Sequence, residues 1–529
     1  MNMLKSGIIL AGALALASVF AVPAHGQTAV KLAAPFPPKA KNDFSEEAQK
    51  NFELLKQKAE KGDADAEAEL GKAYAEGNGT AHDYEQARIW YEKSARQGNA
   101  KGLRGLGMLY SLGLGVEKNT EKGFNYTREA AEKGDAPAQH NLALYYLQGI
   151  GVPADKQKAV FWLTKSAEQN HTNAQSALGL IYFEDKDYSR ALPYLSKAAA
   201  KGNAPAQFAL GLSYTEGLGT DKNPAEAEKW LEKAALQNDI QAAGVLGELK
   251  IHQKNDTEAL KWLRIAAKKN HAPSCRHLGM SYMLGKLGLS RDRTEAEQWL
   301  KKAADQNDWE AQKGLGILYF SNRTHLVEAE KWLLKSVAQK FDAETALSLG
   351  LLYSEGVAGT PDFTKAESWL RKAAEAGLSV ADKPLGIICL HLNNTIEAEK
   401  WLKKAAESGD IEAQSVLGML HLQNGNLSEA EFWLREIAGK NRPEAYKPLA
   451  MILMKQENFI EAETWLRKAA ELNDVEAQLL LGMIYLQGIA GTPDFEQAKI
   501  WLQRAADNGN ANAQEILRQM EQARTSIGM

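Results

Sequence analysis

From Phe44 onward, apolar residues recur along this chain every three to four positions, and the same short patterns return again and again. In one stretch Ala398, Trp401, Leu402, Ala405 and Ala406 fall at i, i+3, i+4, i+7 and i+8. That is the stripe of an amphipathic helix, here called B-type. A second pattern, Ala-Gln-x-x-Leu-Gly-x-x-Tyr, is carried by Ala477, Gln478, Leu481, Gly482 and Tyr485 and predicts an A-type helix. The B-type aromatic stands at Trp90, Trp162, Trp230, Trp262, Trp299, Trp332, Trp369, Trp401, Trp433, Trp465 and Trp501, with Tyr126 and Tyr194 in the same slot, giving thirteen units.

The punctuation between helices repeats as well. Eight residues after each aromatic comes Gly or Asn, as at Gly134, Gly409, Asn170 and Asn473, the residues that accept the left-handed backbone closing a helix. Lys340 is the exception, and there the spacing to the next Gly slot is 18 residues instead of 17. Asn99, Asp135, Asn203, Asp239 and Asp410 then predict N-caps, and Pro137, Pro205 and Pro273 fit a first helical turn, where no N–H is needed. The loop from A-type to B-type helix varies by four residues, so insertions collect along one edge of the array. The Leu-Gly pair recurs at Gly71, Gly107, Gly179 and eight further positions, with Ala143 and Ala450 in the same slot. A mid-helix Gly costs about 1 kcal/mol, so its recurrence predicts a close helix–helix approach.

Units that cannot bury their stripes alone must stack. The expected fold is all-α: an α/α superhelical solenoid of about thirteen helix-turn-helix repeats. Residues 45–63 form an N-terminal capping helix, 64–510 the repeat array and 511–529 a C-terminal capping helix. Ahead of them, residues 1–26 carry Lys5, an apolar stretch from Gly7 to Val22 and then Pro23-Ala24-His25-Gly26, the order of parts in a signal peptide cleaved near Gly26. Residues 27–44, with Pro35, Pro37 and Pro38, read as a Pro-rich linker. Periplasmic or secreted localisation follows, without membrane insertion after signal cleavage.

Composition narrows the chemistry. The 63 basic and 67 acidic side chains give a net charge of −4 over 529 residues, which leaves no electrostatic footprint for nucleic acid. Cys275 and Cys389 are too few for a disulfide framework and read as two buried, inert thiols. No Ser-x-x-Lys, Gly-x-Ser-x-Gly, His-Glu-x-x-His, phosphate loop or Cys-x-x-Cys occurs. His171 and His271 share one turn slot, nine residues after Trp162 and Trp262, and read as repeat variation, and His271 with His277 reads as solvated histidine rather than a metal pair. No catalytic residue, cofactor or metal is therefore expected.

The A-type helices carry a second stripe. Counting from the Gly slot, positions +1 and +4 hold Met108, Met280, Met283, Met419, Met451, Met454 and Met483, seven of the eleven methionines. Position −3 adds Arg104, Arg276, Lys313, Lys383 and Lys447. Two readings are open: these side chains pack against the A-type helices of neighbouring units, or the twelve residues form a groove with an apolar floor and basic insets, suited to an acidic amphipathic segment. Methionine adapts to varied apolar partners.

The repeat resembles the Sel-like repeat (SLR) family, a relative of the tetratricopeptide repeat, over about residues 45–524. The resemblance implies a right-handed superhelix whose concave face is lined by the A-type helices, and a non-enzymatic adaptor in the bacterial envelope or secreted. Its partner would be another envelope or secreted protein. Six units have a shortened loop, and the paired cysteines of one secreted branch are absent, so enzymatic activity ascribed to that branch transfers poorly. A cell-wall-acting envelope enzyme (hydrolase or β-lactamase-like) and a structural spacer are the alternative readings.

Overall fold

The computed structural model describes residues 45–323, 325–357 and 359–526. The signal peptide and linker expected over 1–44 lie outside the described residues. Those described form 28 α-helices of 10 to 16 residues and two short 3-10 turns, with no strand among them. The chain divides into two compact units, Met1–Asp292 and Arg293–Met529.

In the first unit, Glu46–Glu60 leads into A-type and B-type pairs beginning with Ala64–Glu76 and Tyr84–Arg96, and the last helix is Ala272–Leu284. The second unit starts with Arg293–Ala304 and ends with Ala511–Ser526. In each unit an A-type helix packs most closely on the B-type helix that follows it, and then on its neighbours in the stack. The all-α, paired-hairpin architecture is the one the periodicity predicts.

The helix ends form as their residues dictate. Asn170 (φ 62°) and Gly134 (φ 93°) take the left-handed conformation after a B-type helix. Asp135 then caps the next helix by accepting from Ala138 N at 2.7 Å, and Asp410 accepts from Ala413 N at 2.9 Å. Lys340 stays extended at φ −150°, ψ 120°. The helix before it, Leu326–Gln339, is one residue longer than the usual 13 and takes up the extra residue of that unit.

The Gly slot is where the hairpin closes. A methyl group on Gly211 would lie 2.7 Å from Leu231 Cγ, and one on Gly386 would lie 2.7 Å from Leu402 Cγ. Both leucines immediately follow the Trp slot and are fully buried. The close helix that the recurrent glycine predicts is thus the B-type helix of the same hairpin. In the long loops a second glycine fits under the preceding B-type helix: a methyl on Gly115 would lie 2.7 Å from the Tyr84 carbonyl.

Candidate partner-binding face

Around each A-type helix, one face meets the hairpin partner and the opposite stripe holds the +1 and +4 side chains. Met108, Met419 and Met451, all at +1, are 38–41% exposed. Met280, Met283 and Met483 are half-buried, and Met454 packs against the buried cluster around Leu449 and Leu453. None of the seven is fully buried. The stripe is not uniform, because Leu180 and Leu212 occupy the same +1 slot and are buried. Leu180 clusters with Ala209 and Leu210, and Leu212 with Ala243 and Leu246, each on the next A-type helix. At Leu180 and Leu212 the slot therefore serves helix-to-helix packing, while Met108 in the first unit, and Met419 and Met451 in the second, are open to solvent.

The −3 residues have a defined geometry that the sequence did not show. Lys383 Nζ lies 3.3 Å from Asp410 and 2.7 Å from Glu412. Lys447 Nζ lies 3.2 Å from Asp474 and 2.8 Å from Glu476. Lys313 pairs likewise with Asp342 at 2.9 Å and with Glu344. In each case the lysine of one hairpin reaches the N-cap Asp of the next A-type helix and the acid two residues beyond it. Arg104 Nε lies 3.0 Å from the N-cap Asp135, and Arg276 is half-buried in the same slot. Glu412 and Glu476 raise the Lys383 and Lys447 ammonium pKa values above the ordinary lysine range. Burial pulls Lys313 down, but hydrogen bonds to Glu344 and Asp342 outweigh it and its pKa is raised too. Lys313, Lys383 and Lys447 are thus committed to joining consecutive hairpins, each facing two carboxylates, so they do not make the groove basic.

One of these joints differs in chemistry. His140 at −3 faces the N-cap His171, with ring centroids 5.2 Å apart. Burial, then the neighbouring His171, pushes the His140 pKa down to about 4, and burial lowers that of His171 as well.

The buried glutamine of the Ala-Gln motif went unassigned in the sequence, although its recurrence was the available signal. Gln478 donates from Nε2 to the Ala470 carbonyl at 3.1 Å and accepts from Asn508 Nδ2 at 3.2 Å. Gln139, Gln207 and Gln312 repeat the arrangement, donating to Ala131, Ala199 and Ala304 and accepting from Gln169, Gln237 and Gln339. Each such glutamine ties its own helix to the B-type helices on both sides. Cys275 fills this slot in its unit, with Sγ 3.6 Å from the Ala267 carbonyl.

Cys275 and Cys389 are free and buried, and burial pushes the Cys389 thiol up, away from the reactive thiolate. His271 contacts Ser274 and Gln241, and His277 Nε2 lies 3.2 Å from Glu248. Among the described residues, no three His, Cys, Asp or Glu side chains converge as a metal set. No described helix is long and apolar enough to cross a membrane.

Paired helices, closed at a recurrent glycine and tied at several joints by an ion pair from one A-type helix to the N-cap aspartate of the next, define an α-hairpin repeat scaffold. The Sel1 repeat matches residues 64–99, 100–135, 136–171, 172–203, 204–239, 247–271, 272–308, 343–378, 391–410, 453–474 and 475–510, more than half of the chain, which belongs to the Sel1 repeat family. The unmatched residues 309–342 and 411–452 build the same helices, including Trp309–Asn322 with Leu326–Gln339. The chain is similar to c5321, a protective antigen of uropathogenic Escherichia coli with an SLR fold. That likeness is at 29% identity over 90% of this chain and 91% of that one, with a TM-score of 0.34. It is also similar to a Sel1 repeat protein from Oxalobacter formigenes, at 26% identity over 49% of this chain and 97% of that one, with a TM-score of 0.34. No curated protein matches.

Proposed function

We propose that this Sel1-repeat scaffold is a non-enzymatic adaptor, exported by its N-terminal signal peptide to the periplasm or beyond. There it holds a peptide or helix of another envelope or secreted protein on its A-helix face. The observation that carries this reading is the exposure of Met108, Met419 and Met451 in a slot where Leu180 and Leu212 are buried. Methionine side chains adapt to varied apolar partners, which suits such a contact.

A photo-crosslinking amino acid placed at Met451 and, separately, at the exposed Lys403 of a B-type helix tests it in intact cells. The adaptor reading expects a protein adduct from position 451 and none from 403. Adducts from 403 alone would place binding on the other face.

A further inference from the structure

In the second unit the charge on the A-helix face can be read from which member of each ion pair faces water. Lys313, Lys383 and Lys447 have side chains 19–29% exposed, whereas their partners Glu344, Glu412 and Glu476 are 59–66% exposed. The ammonium groups are drawn inward and the carboxylates stand out. Each of these joints also contains an N-cap aspartate, Asp342, Asp410 or Asp474, so two carboxylates face one ammonium and each joint keeps one negative charge in excess.

Those carboxylates share the methionine stripe. Glu412 and Met419, like Glu476 and Met483, are seven residues apart on one helix. Two turns bring them to the same side about 10 Å apart. The pattern belongs to this unit alone. In the first unit the glutamate slot holds Asp65, then Lys101, Pro137, Asn173, Pro205, Gln241 and Pro273. Met419, Met451 and Met483 recur every 32 residues on consecutive A-type helices, so the floor is apolar and carboxylates stand at one side.

Resting on the adaptor reading above, we infer that the A-helix face of residues 293–529 selects a cationic amphipathic segment of its partner protein. Apolar side chains of that segment sit on the methionines, and its Lys or Arg side chains meet Glu344, Glu412 and Glu476. Complementary charge sets partner choice and encounter rate, while the apolar contacts hold the complex.

The probes are two synthetic amphipathic helices of equal length, one of leucine and lysine and one of leucine and glutamate, titrated into the full-length protein by fluorescence anisotropy. The inference expects the leucine–lysine helix to bind at least about tenfold tighter, a difference in the range such charge pairing reaches. It also expects weakening of about tenfold in Glu344→Gln/Glu412→Gln/Glu476→Gln and in Met419→Ser/Met451→Ser, with helix content checked for both variants. Glu412→Gln alone, which leaves two joints intact, should give a smaller loss if the triple variant misfolds. Equal or tighter binding of the leucine–glutamate helix, or binding of neither, overturns the inference. Weakening by the glutamate variants without weakening by the methionine variant marks attraction of any cation, and overturns it too. If charge selection fails while crosslinking at position 451 still captures a protein, the adaptor reading stands without it. If that capture also fails, both fall.

Discussion

Gly482 and Leu502 approach closely: a methyl at position 482 would lie 2.6 Å from Leu502 Cγ and 3.3 Å from its backbone nitrogen, so Leu502 would have to shift. Leu502 is fully buried and has no room to retreat. Gly482→Ala gains about 1 kcal/mol of helix propensity but overpacks the hairpin at a cost of about 1–3 kcal/mol. The net expectation is a lower urea midpoint. At Gly418 the nearest atom to such a methyl is Leu434 Cγ at 3.1 Å, so Gly418→Ala should be close to neutral. Equal effects at the two sites would refute the close-approach explanation.

The glutamine ladder predicts a loss and a gain. Gln478→Ala removes one buried and one part-buried hydrogen bond and leaves the Ala470 carbonyl without its side-chain donor, which should cost about 1–3 kcal/mol. Gln175 keeps one bond, to Ala167 at 3.2 Å, but its Oε1 is buried without a partner. The donor's place at the end of the following B-type helix is taken by Lys201, which reaches the Asn170 carbonyl instead. Lys201→Gln should supply the missing donor and raise stability by about 1 kcal/mol. Chemical denaturation reads both, and an unchanged midpoint in either variant counts against the ladder.

Stability should fall in mild acid because of one joint. His140 lies beside His171, with Asn141, Asp135, Arg104 and Lys201 the other groups acting on the pair. Asp135 favours the protonated form of His171, while Arg104 and Lys201 oppose it. The folded-state pKa values of both histidines are depressed, so the unfolded chain binds protons first. Their contribution is complete above the ordinary histidine pKa of about 6.5 and is lost as pH falls from there toward about 4. Wild type should lose about 1 kcal/mol more between pH 7.5 and 5 than His140→Asn does. His171→Asp, which recreates the basic–acid pairing of the other joints, should reverse the trend. Parallel pH dependence in all three proteins would remove the joint from the account.

Much of the fold was legible because it is local. Gly134, Asn170 and Asp135 act through their own backbone, and the Leu-Gly pair reports a contact within one hairpin. The joints were not legible in the same way. Lys383 and Asp410 lie on different repeats, and a face read from helix periodicity says which way a side chain points without saying what it meets. The basic residues consequently looked like free charges when they are inter-repeat ties. Leu180 and Met451 share one slot and have opposite fates because burial there depends on how closely the next A-type helix approaches, which no pattern within a single repeat encodes.

We propose that Met419 and Met451 are exposed apolar contacts for a partner protein. Cross-linking in intact cells, with captured proteins identified for wild type and for Met419→Glu/Met451→Glu/Met454→Glu/Met483→Glu, tests it most directly when helix content and melting are followed on the same proteins. Because Met454 touches the buried cluster, the Met419→Glu/Met451→Glu pair is compared alongside. The account predicts that both variants stay folded at Met419 and Met451, with a lower melting temperature only where Met454 is changed, and that a protein captured by wild type disappears from both. An unchanged captured set, or unfolding of the Met419→Glu/Met451→Glu pair, would contradict it.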